Sequence, residues 1–134
     1  EKMGQGDTES FHSPRGQTEL NYGAIKSCFA EDSVEAIIRN LENLGDEWAE
    51  QIIRTMFSKS PTSLKVTLWH LIKSEGEGFD TVIDRDLRLA EQFLKNHDMS
   101  EGIRAAVVDK DRNPQWNPKT LEEVGSEILS DYIN

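Results

Sequence analysis

Three histidines, one cysteine and several groups of carboxylates are the side chains of this chain with chemistry to offer. His97, Asp98 and Glu101 can be drawn as an acid–base cluster, because an imidazole and two carboxylates are the usual parts of proton transfer. The same spacing also has a structural meaning. Asp98 and Glu101, three apart, fit a capping box in which Asp98 accepts an orphan N–H of a first helical turn and Glu101 reaches back. His97 then closes the preceding helix, where an imidazolium suits the C-terminal dipole. Capping accounts for both carboxylates without catalysis, and no catalytic residue is assigned.

The remaining candidates read the same way. Asp80 and Asp84 share a helix face, but Asp86 lies about 200° around from Asp84, so the three do not converge. Arg85 and Arg88 are close enough to pair with them, and with Glu91 they make a solvated charged face. His12, His70 and His97 are too scattered for a local zinc motif, so no metal site is assigned, and His70 belongs at the edge of an apolar stripe. Cys28 has only Lys26 nearby to lower its pKa and reads as a small buried hydrophobe. Nucleotide-binding glycine loops are missing, and the glutamate in Gly76-Glu77-Gly78 would repel phosphate, which leaves that run as a helix–helix turn. Lys110 and Arg112 alternate with Asp109 and Asp111 and read as a self-compensating DKDR turn.

These residues need elements to hold them. A chain of 134 residues is one domain by size. Its net charge of −10 disfavours nucleic acid and anionic membrane surfaces as partners. No apolar run is long enough to span a bilayer. One cysteine excludes an internal disulfide and a thiolate metal cluster. The start at Glu1, without a basic or apolar targeting stretch, suggests a processed or truncated product. Residues 1–23 hold four of the nine glycines and four hydrophobic residues, Met3, Phe11, Leu20 and Tyr22. That cannot offset the entropy of ordering, so Glu1–Gln17 reads as a mobile tail and residues 1–21 as a tail or connector, with the folded domain over 22–134.

Beyond Tyr22 the pattern is helical. Asp32 or Ser33 caps a helix with Val34, Ile37, Ile38, Leu41 and Leu44 on one stripe, closed by Gly45. Asp46 opens the next, with Trp48, Ile52 and Met56 inward and Ile53 and Phe57 as further candidates. Ser60-Pro61 starts a third, with Leu64, Leu68, Leu71 and Ile72. A fourth runs from about Phe79 to Lys95 and is expected to bury Phe79, Val82, Ile83, Ala90, Phe93 and Leu94. Met99, Ile103, Ala106 and Val107 give a buried face to a short fifth helix, which must stop before Asp109–Asn113 and Pro114 and pass into an extended charged segment. Thr120 caps a last helix with Leu121, Val124, Ile128 and Tyr132. With no sustained alternation and no hairpin signal, the fold class is all-α, a bundle of about five or six short helices.

The run from Phe93 to Pro118, FLKNHDMSEGIRAAVVDKDRNPQWNP, resembles the C-terminal signature of the crotonase (enoyl-CoA hydratase) superfamily. Its form HD-x-x-EG-I-R-A-x-x-x-DKD-x-x-P-x-W-x-P is similar to that of the 3-hydroxyisobutyryl-CoA hydrolase branch. CFAEDSVEAIIRNLE and SPTSLKVTL extend the resemblance over most of Tyr22–Val124; residues 1–21 resemble nothing placed.

That resemblance implies a C-terminal helical domain packed on an N-terminal crotonase core, which would supply the oxyanion hole and carboxylates for acyl-CoA thioester hydrolysis in valine catabolism. None of those core motifs is in this sequence, so this chain alone is expected to be inactive. The implied partners are that core and the acyl-CoA substrate, with self-association a further expectation. The implied location is mitochondrial, and no cofactor beyond the substrate's own CoA is implied. One site residue follows from the resemblance alone: Lys110 matches a lysine that reaches the phosphate of CoA's adenosine end. The resemblance equally admits a non-catalytic crotonase-like interaction module, of the kind associated with mitochondrial ribosomes.

Overall fold

The computed structural model describes residues 21–133. The mobile tail expected over Glu1–Gln17 lies outside them. Among the described residues there are seven α-helices and no strand. They are α1 (Tyr22–Cys28), α2 (Val34–Leu44), α3 (Glu47–Phe57), α4 (Pro61–Ser74), α5 (Phe79–Lys95), α6 (His97–Ile103) and α7 (Ser126–Ile133), with a π-helical turn over Arg104–Val108 extending α6. The seventh element beyond the expected six is α1. None of these helices is long and apolar enough to cross a membrane.

Local chemistry sets the boundaries of the first helices. Ser33 accepts a hydrogen bond from Ala36 N–H at 3.3 Å and starts α2, and Gly45, at φ 61°, ends it in the left-handed conformation that glycine adopts without a side-chain penalty. Asp46 Oδ1 accepts from Ala49 N–H at 2.8 Å to start α3. Ser60 Oγ accepts from Ser63 N–H at 3.1 Å, with Pro61 at the first helical position of α4.

Packing centres on α4. Cys28, Ile37, Leu41 and Ala49 form one buried cluster, and Val34, Ile38 and Leu121 a second. Leu68 and Met56 touch both and join α2, α3 and α4. A third cluster lies around Val66, Leu89 and Tyr132, with Trp69, Phe93, Ile128 and Leu129 against it. Phe93 and Tyr132 pack with ring centroids 4.8 Å apart and planes tilted by 49°. Leu64 and Val66, about 200° apart on α4, therefore face opposite neighbours. This helix is sandwiched between α2–α3 and α5–α7, so its stripe is not the single one that the spacing suggests. Leu71 and Ile72, expected inward, are exposed, while Val66 is buried.

Other stripes depart further. On α2, Val34, Ile37, Ile38 and Leu41 are buried as expected, but Leu44 is exposed, as is Phe57 at the end of α3. On α5 the buried residues are Arg85 and Leu89, whereas Phe79, Ile83, Ala90 and Leu94 face outward. Met99, Ile103, Ala106 and Val107 are likewise exposed; Asp98 and Ala105 occupy the inward face there. An apolar period locates a face, and nothing in the described residues covers these two.

The last helix begins at Ser126, not Thr120. Residues 120–123 form a turn in which Glu123 Oε2 accepts from the N–H groups of Lys119 and Thr120, so the acid does the capping expected of the threonine. Leu121 and Val124 are still buried, anchored from a turn rather than from a helix.

Candidate functional site

The densest polar network joins α6 to the segment after it. Arg104, on the π-helical turn, meets Glu101 through two parallel bonds, Nε to Oε2 at 2.9 Å and Nη2 to Oε1 at 2.8 Å. This fork-on-fork pairing is the strong form of a guanidinium–carboxylate contact. Arg104 Nη1 also reaches Asp109 at 2.6 Å and Asp111 at 2.7 Å, and Nη2 reaches the carbonyl of Asn113 at 3.3 Å. Glu101 Oε1 additionally accepts from Gln115 N–H at 2.7 Å. The Arg104 side chain, followed by the Gln115 N–H, holds the Glu101 carboxyl down to about 2. Arg104 and the Asn113 N–H lower Asp111 in the same direction, and the three carboxylates push the Arg104 guanidinium up.

Asp98 forms the second anchor. It is buried, and its Oδ2 accepts from Ser60 Oγ at 2.5 Å while Oδ1 accepts from Asn117 N–H at 2.8 Å and lies 3.2 Å from His97 Nδ1. The Ser60 hydroxyl thus accepts from the first turn of α4 and donates to Asp98, tying residues 38 positions apart. Trp116 completes the tether. Its Nε1 donates to the carbonyl of Ser58 at 3.2 Å, and its ring lies against Gly102, where an added Cβ would stand 3.3 Å from Cη2.

This geometry replaces the capping box. Neither Asp98 nor Glu101 caps α6, whose N-cap is Asn96 without a side-chain bond, and His97 begins α6 instead of closing α5. Both acids instead bind backbone N–H groups of the 113–117 segment, because that segment folds back over the helix and offers donors far in sequence but near in space. The acid–base arrangement fails for the same reason: Asp98 is engaged by Ser60 and Asn117, and Glu101 by Arg104 and Gln115.

The DKDR stretch is not simply extended. Lys110 and Arg112 have φ of 57° and 54°, a left-handed backbone rare for residues with a Cβ and costing about 1–2 kcal/mol each. Arg112 N–H donates to Ala105 O at 3.0 Å, which closes the loop back on the helix. Asp109 and Asp111 turn in to Arg104, while the side chains of Lys110 and Arg112 are exposed and take no hydrogen-bond or ion-pair partner among the described residues. The alternation is sorted by partner: the acids, themselves 52% and 43% exposed, bond to the guanidinium, and the bases bond to nothing among the described residues.

The other singled-out residues are dispersed. Cys28 is buried in the first cluster. His70 is largely buried on α4, with Nε2 2.7 Å from Asp86 Oδ1. Arg85 does not pair with its helix neighbours; it turns inward to Glu77 and Ser74 and lies 5.8 Å from the Trp69 ring centroid. The Gly76–Gly78 turn therefore supplies a carboxylate to a buried arginine. Arg104, Ser60 and Gly102 were not singled out as site residues from the sequence. The available signal was the carboxylate excess around one arginine in EGIRAAVVDKD.

An apolar groove runs beside this network, lined by Phe93, Met99, Ile103, Ala106, Val107 and Trp116. Three lines of similarity place the chain as a whole. The family described as enoyl-CoA hydratase/isomerase matches residues 3–133, so the likeness reaches into the N-terminal residues that resembled nothing placed. The mitochondrial 3-hydroxyisobutyryl-CoA hydrolase of Homo sapiens is 38% identical over 109 residues, which are 81% of this chain and 28% of that protein. Its counterpart from Rattus norvegicus is 37% identical over 135 residues, 96% of this chain and 35% of that protein. In fold, the chain is similar to a carnitinyl-CoA dehydratase from Mycobacterium thermoresistibile, with a TM-score of 0.78 and 28% identity over 95% of this chain and 36% of that one. The chain thus spans about a third of the length of the relatives it matches. The signature that places Glu101, Gly102 and Arg104 in one network is part of a match covering nearly every residue: this chain belongs to the enoyl-CoA hydratase/isomerase family.

Proposed function

We propose that this chain is the C-terminal helical domain of a mitochondrial 3-hydroxyisobutyryl-CoA hydrolase acting in valine catabolism, and that it packs on a crotonase core that carries the chemistry. The observation that carries this reading is the pair of uncovered apolar faces, one on α5 and one on α6 with its π-helical turn. Phe79 is 77% exposed and Leu94 70%, values that a self-sufficient domain of this size rarely shows along whole helix faces. The names and identities of the human and rat relatives support the choice of branch and compartment.

In this reading the chain contributes walls and a grip rather than reacting groups. The core would hold the thioester carbonyl with backbone N–H groups and activate water. Lys110, exposed and without an ion-pair partner among the described residues, would meet the phosphate of CoA's adenosine end. The test of activity is thiol release from 3-hydroxyisobutyryl-CoA. This chain alone should give none, and the polypeptide that includes the core should give it. Turnover by this chain alone, abolished by replacing one of its own residues, would overturn the reading. In the longer polypeptide Lys110→Ala should raise KM several-fold with kcat nearly unchanged, the pattern of lost uniform binding. Dephospho-CoA thioesters, lacking the 3′-phosphate, should respond less.

A further inference from the structure

We propose that Arg104 is a positioning residue for phosphate recognition, holding Asp109 and Asp111 on its guanidinium so that Lys110 and Arg112 stay free to face the polyanionic end of CoA as a pair. The inference rests on the Lys110 reading above and adds Arg112 as its second cation. Four observations support it. One guanidinium binds Asp109 and Asp111 at 2.6 and 2.7 Å and is itself fixed by the forked pair with Glu101. The two residues that alternate with those aspartates have left-handed backbones, so the segment does not leave the helix as an ordinary extended run. Arg112 N–H is pinned to Ala105 O, so the loop has little freedom to relax. Finally, the chain as a whole carries −10, and an anion is admitted only where nearby carboxylates are already paired with a cation.

Without Arg104, Asp109 and Asp111, already about half exposed, would be free to pair with Lys110 and Arg112 and cancel their field. The loop would also lose the contacts that hold its left-handed residues. Arg104 would touch no part of the substrate; it acts through the loop.

The decisive variant replaces both aspartates, Asp109→Ser with Asp111→Ser, in the polypeptide that includes the catalytic core. Serine is too short to reach the guanidinium, while Glu101, Gly102 and Trp116 keep the rest of the network. Electrostatics alone predicts that removing two negative charges beside a cation pair lowers KM for a CoA thioester. A positioning role predicts the opposite, a several-fold rise, because the loop is no longer held. A fall, or no change, overturns the proposal. Arg104→Gln should raise KM for the CoA thioester and shrink its advantage over the dephospho-CoA thioester, a ratio that a merely structural loss would leave alone. In a Lys110→Ala, Arg112→Ala background it should add nothing; a full additive effect there overturns the positioning role. If Lys110→Ala alone leaves KM and that ratio unchanged, the Lys110 reading itself fails. If Lys110→Ala acts but the serine pair and Arg104→Gln do not, only the role of Arg104 fails.

Discussion

Helices α2 and α5 carry comparable apolar stripes and meet opposite fates. On α2, Val34, Ile37, Ile38 and Leu41 are 0% to 7% exposed and fill two core clusters. On α5, Phe79, Ile83, Leu87 and Leu94 recur at helical spacing with exposures from 46% to 77%. The difference is not propensity, since both are regular helices with clean amphipathic patterns. It lies in neighbours: α2 has α3 and α4 against its stripe, whereas α5 turns its Arg85–Leu89–Phe93 edge, not its apolar stripe, toward α4 and α7. One half of the molecule is closed by its own residues, and the other offers an apolar surface.

The largest test of that contrast is Leu41→Ala. Leu41 is fully buried, so truncation should lower stability by about 2–5 kcal/mol, the range for a buried leucine that leaves a cavity. Leu68→Ala should cost less than Leu41→Ala, because Leu68 is only partly buried although it bridges two clusters. Denaturant midpoints give both values. A smaller loss at Leu41 than at Leu68 would mean that the α2 side is not the better packed half.

Next comes the polar tether between the halves. Asp98→Ala removes the acceptor of Ser60 Oγ and Asn117 N–H and should cost about 1.5–3 kcal/mol, the range for hydrogen bonds to a charged group. This exceeds the loss of about 1 kcal/mol expected of an ordinary cap such as Ser33→Ala on α2. Ser60→Ala and Asp98→Ala share one bond and should fall short of additivity in a double-mutant cycle. Equal costs at Ser33 and Asp98 would reduce Asp98 to the capping role that the sequence suggested.

Acid should weaken the Arg104 network. The Glu101 carboxyl is held at about 2, below its ordinary 4.5, so the folded state binds its proton more weakly than the unfolded chain does. Its contribution is complete above about pH 4.5 and is lost as the pH falls toward 2. Asp111 shifts the same way through Arg104 and the Asn113 N–H. On α2, burial is the largest single influence and works to raise Glu35, but Lys65 at 2.7 Å, the Glu35 backbone hydrogen bond and Arg39 together outweigh it and leave the carboxyl lowered. Midpoints at pH 6, 4 and 2.5 for the native chain and for Glu101→Gln should converge as the pH falls. A gap that widens in acid would contradict the direction of the shift.

What the sequence made legible was local. Ser33, Asp46 and Ser60 mark helix starts because capping involves atoms three residues apart, and Gly45 marks a stop because its φ is local too. The class of the fold followed from apolar period alone. The roles of Asp98, Glu101 and Arg104 did not, because their partners are set by a loop that returns 5 to 19 positions later or, for Ser60, 38 positions earlier. A spacing of three reads as a capping box unless donors from elsewhere arrive first. Exposure of the α5 and α6 stripes was equally hidden, since periodicity reports that a face is apolar and is silent on what covers it.

The smallest expected effect tests the comparison most directly. Leu94 is 70% exposed near the end of α5, so Leu94→Ala in this chain alone should change stability by less than about 0.5 kcal/mol, as for a surface substitution away from special features. Leu41→Ala, with the same atoms removed, should cost several times more. The chemistry is identical at the two sites and only the surroundings differ, so the ratio measures how far each stripe is covered by the chain itself. If Leu94→Ala costs more than about 1 kcal/mol in this chain, the α5 face is covered by the chain's own residues and the two halves are alike. In a polypeptide that includes the catalytic core, the Leu94 cost should rise toward the range for a buried leucine while the Leu41 cost stays where it was. A Leu94 value that stays near zero there would leave the α5 face uncovered in the assembled protein and remove the observation on which the packing of this domain against a core rests.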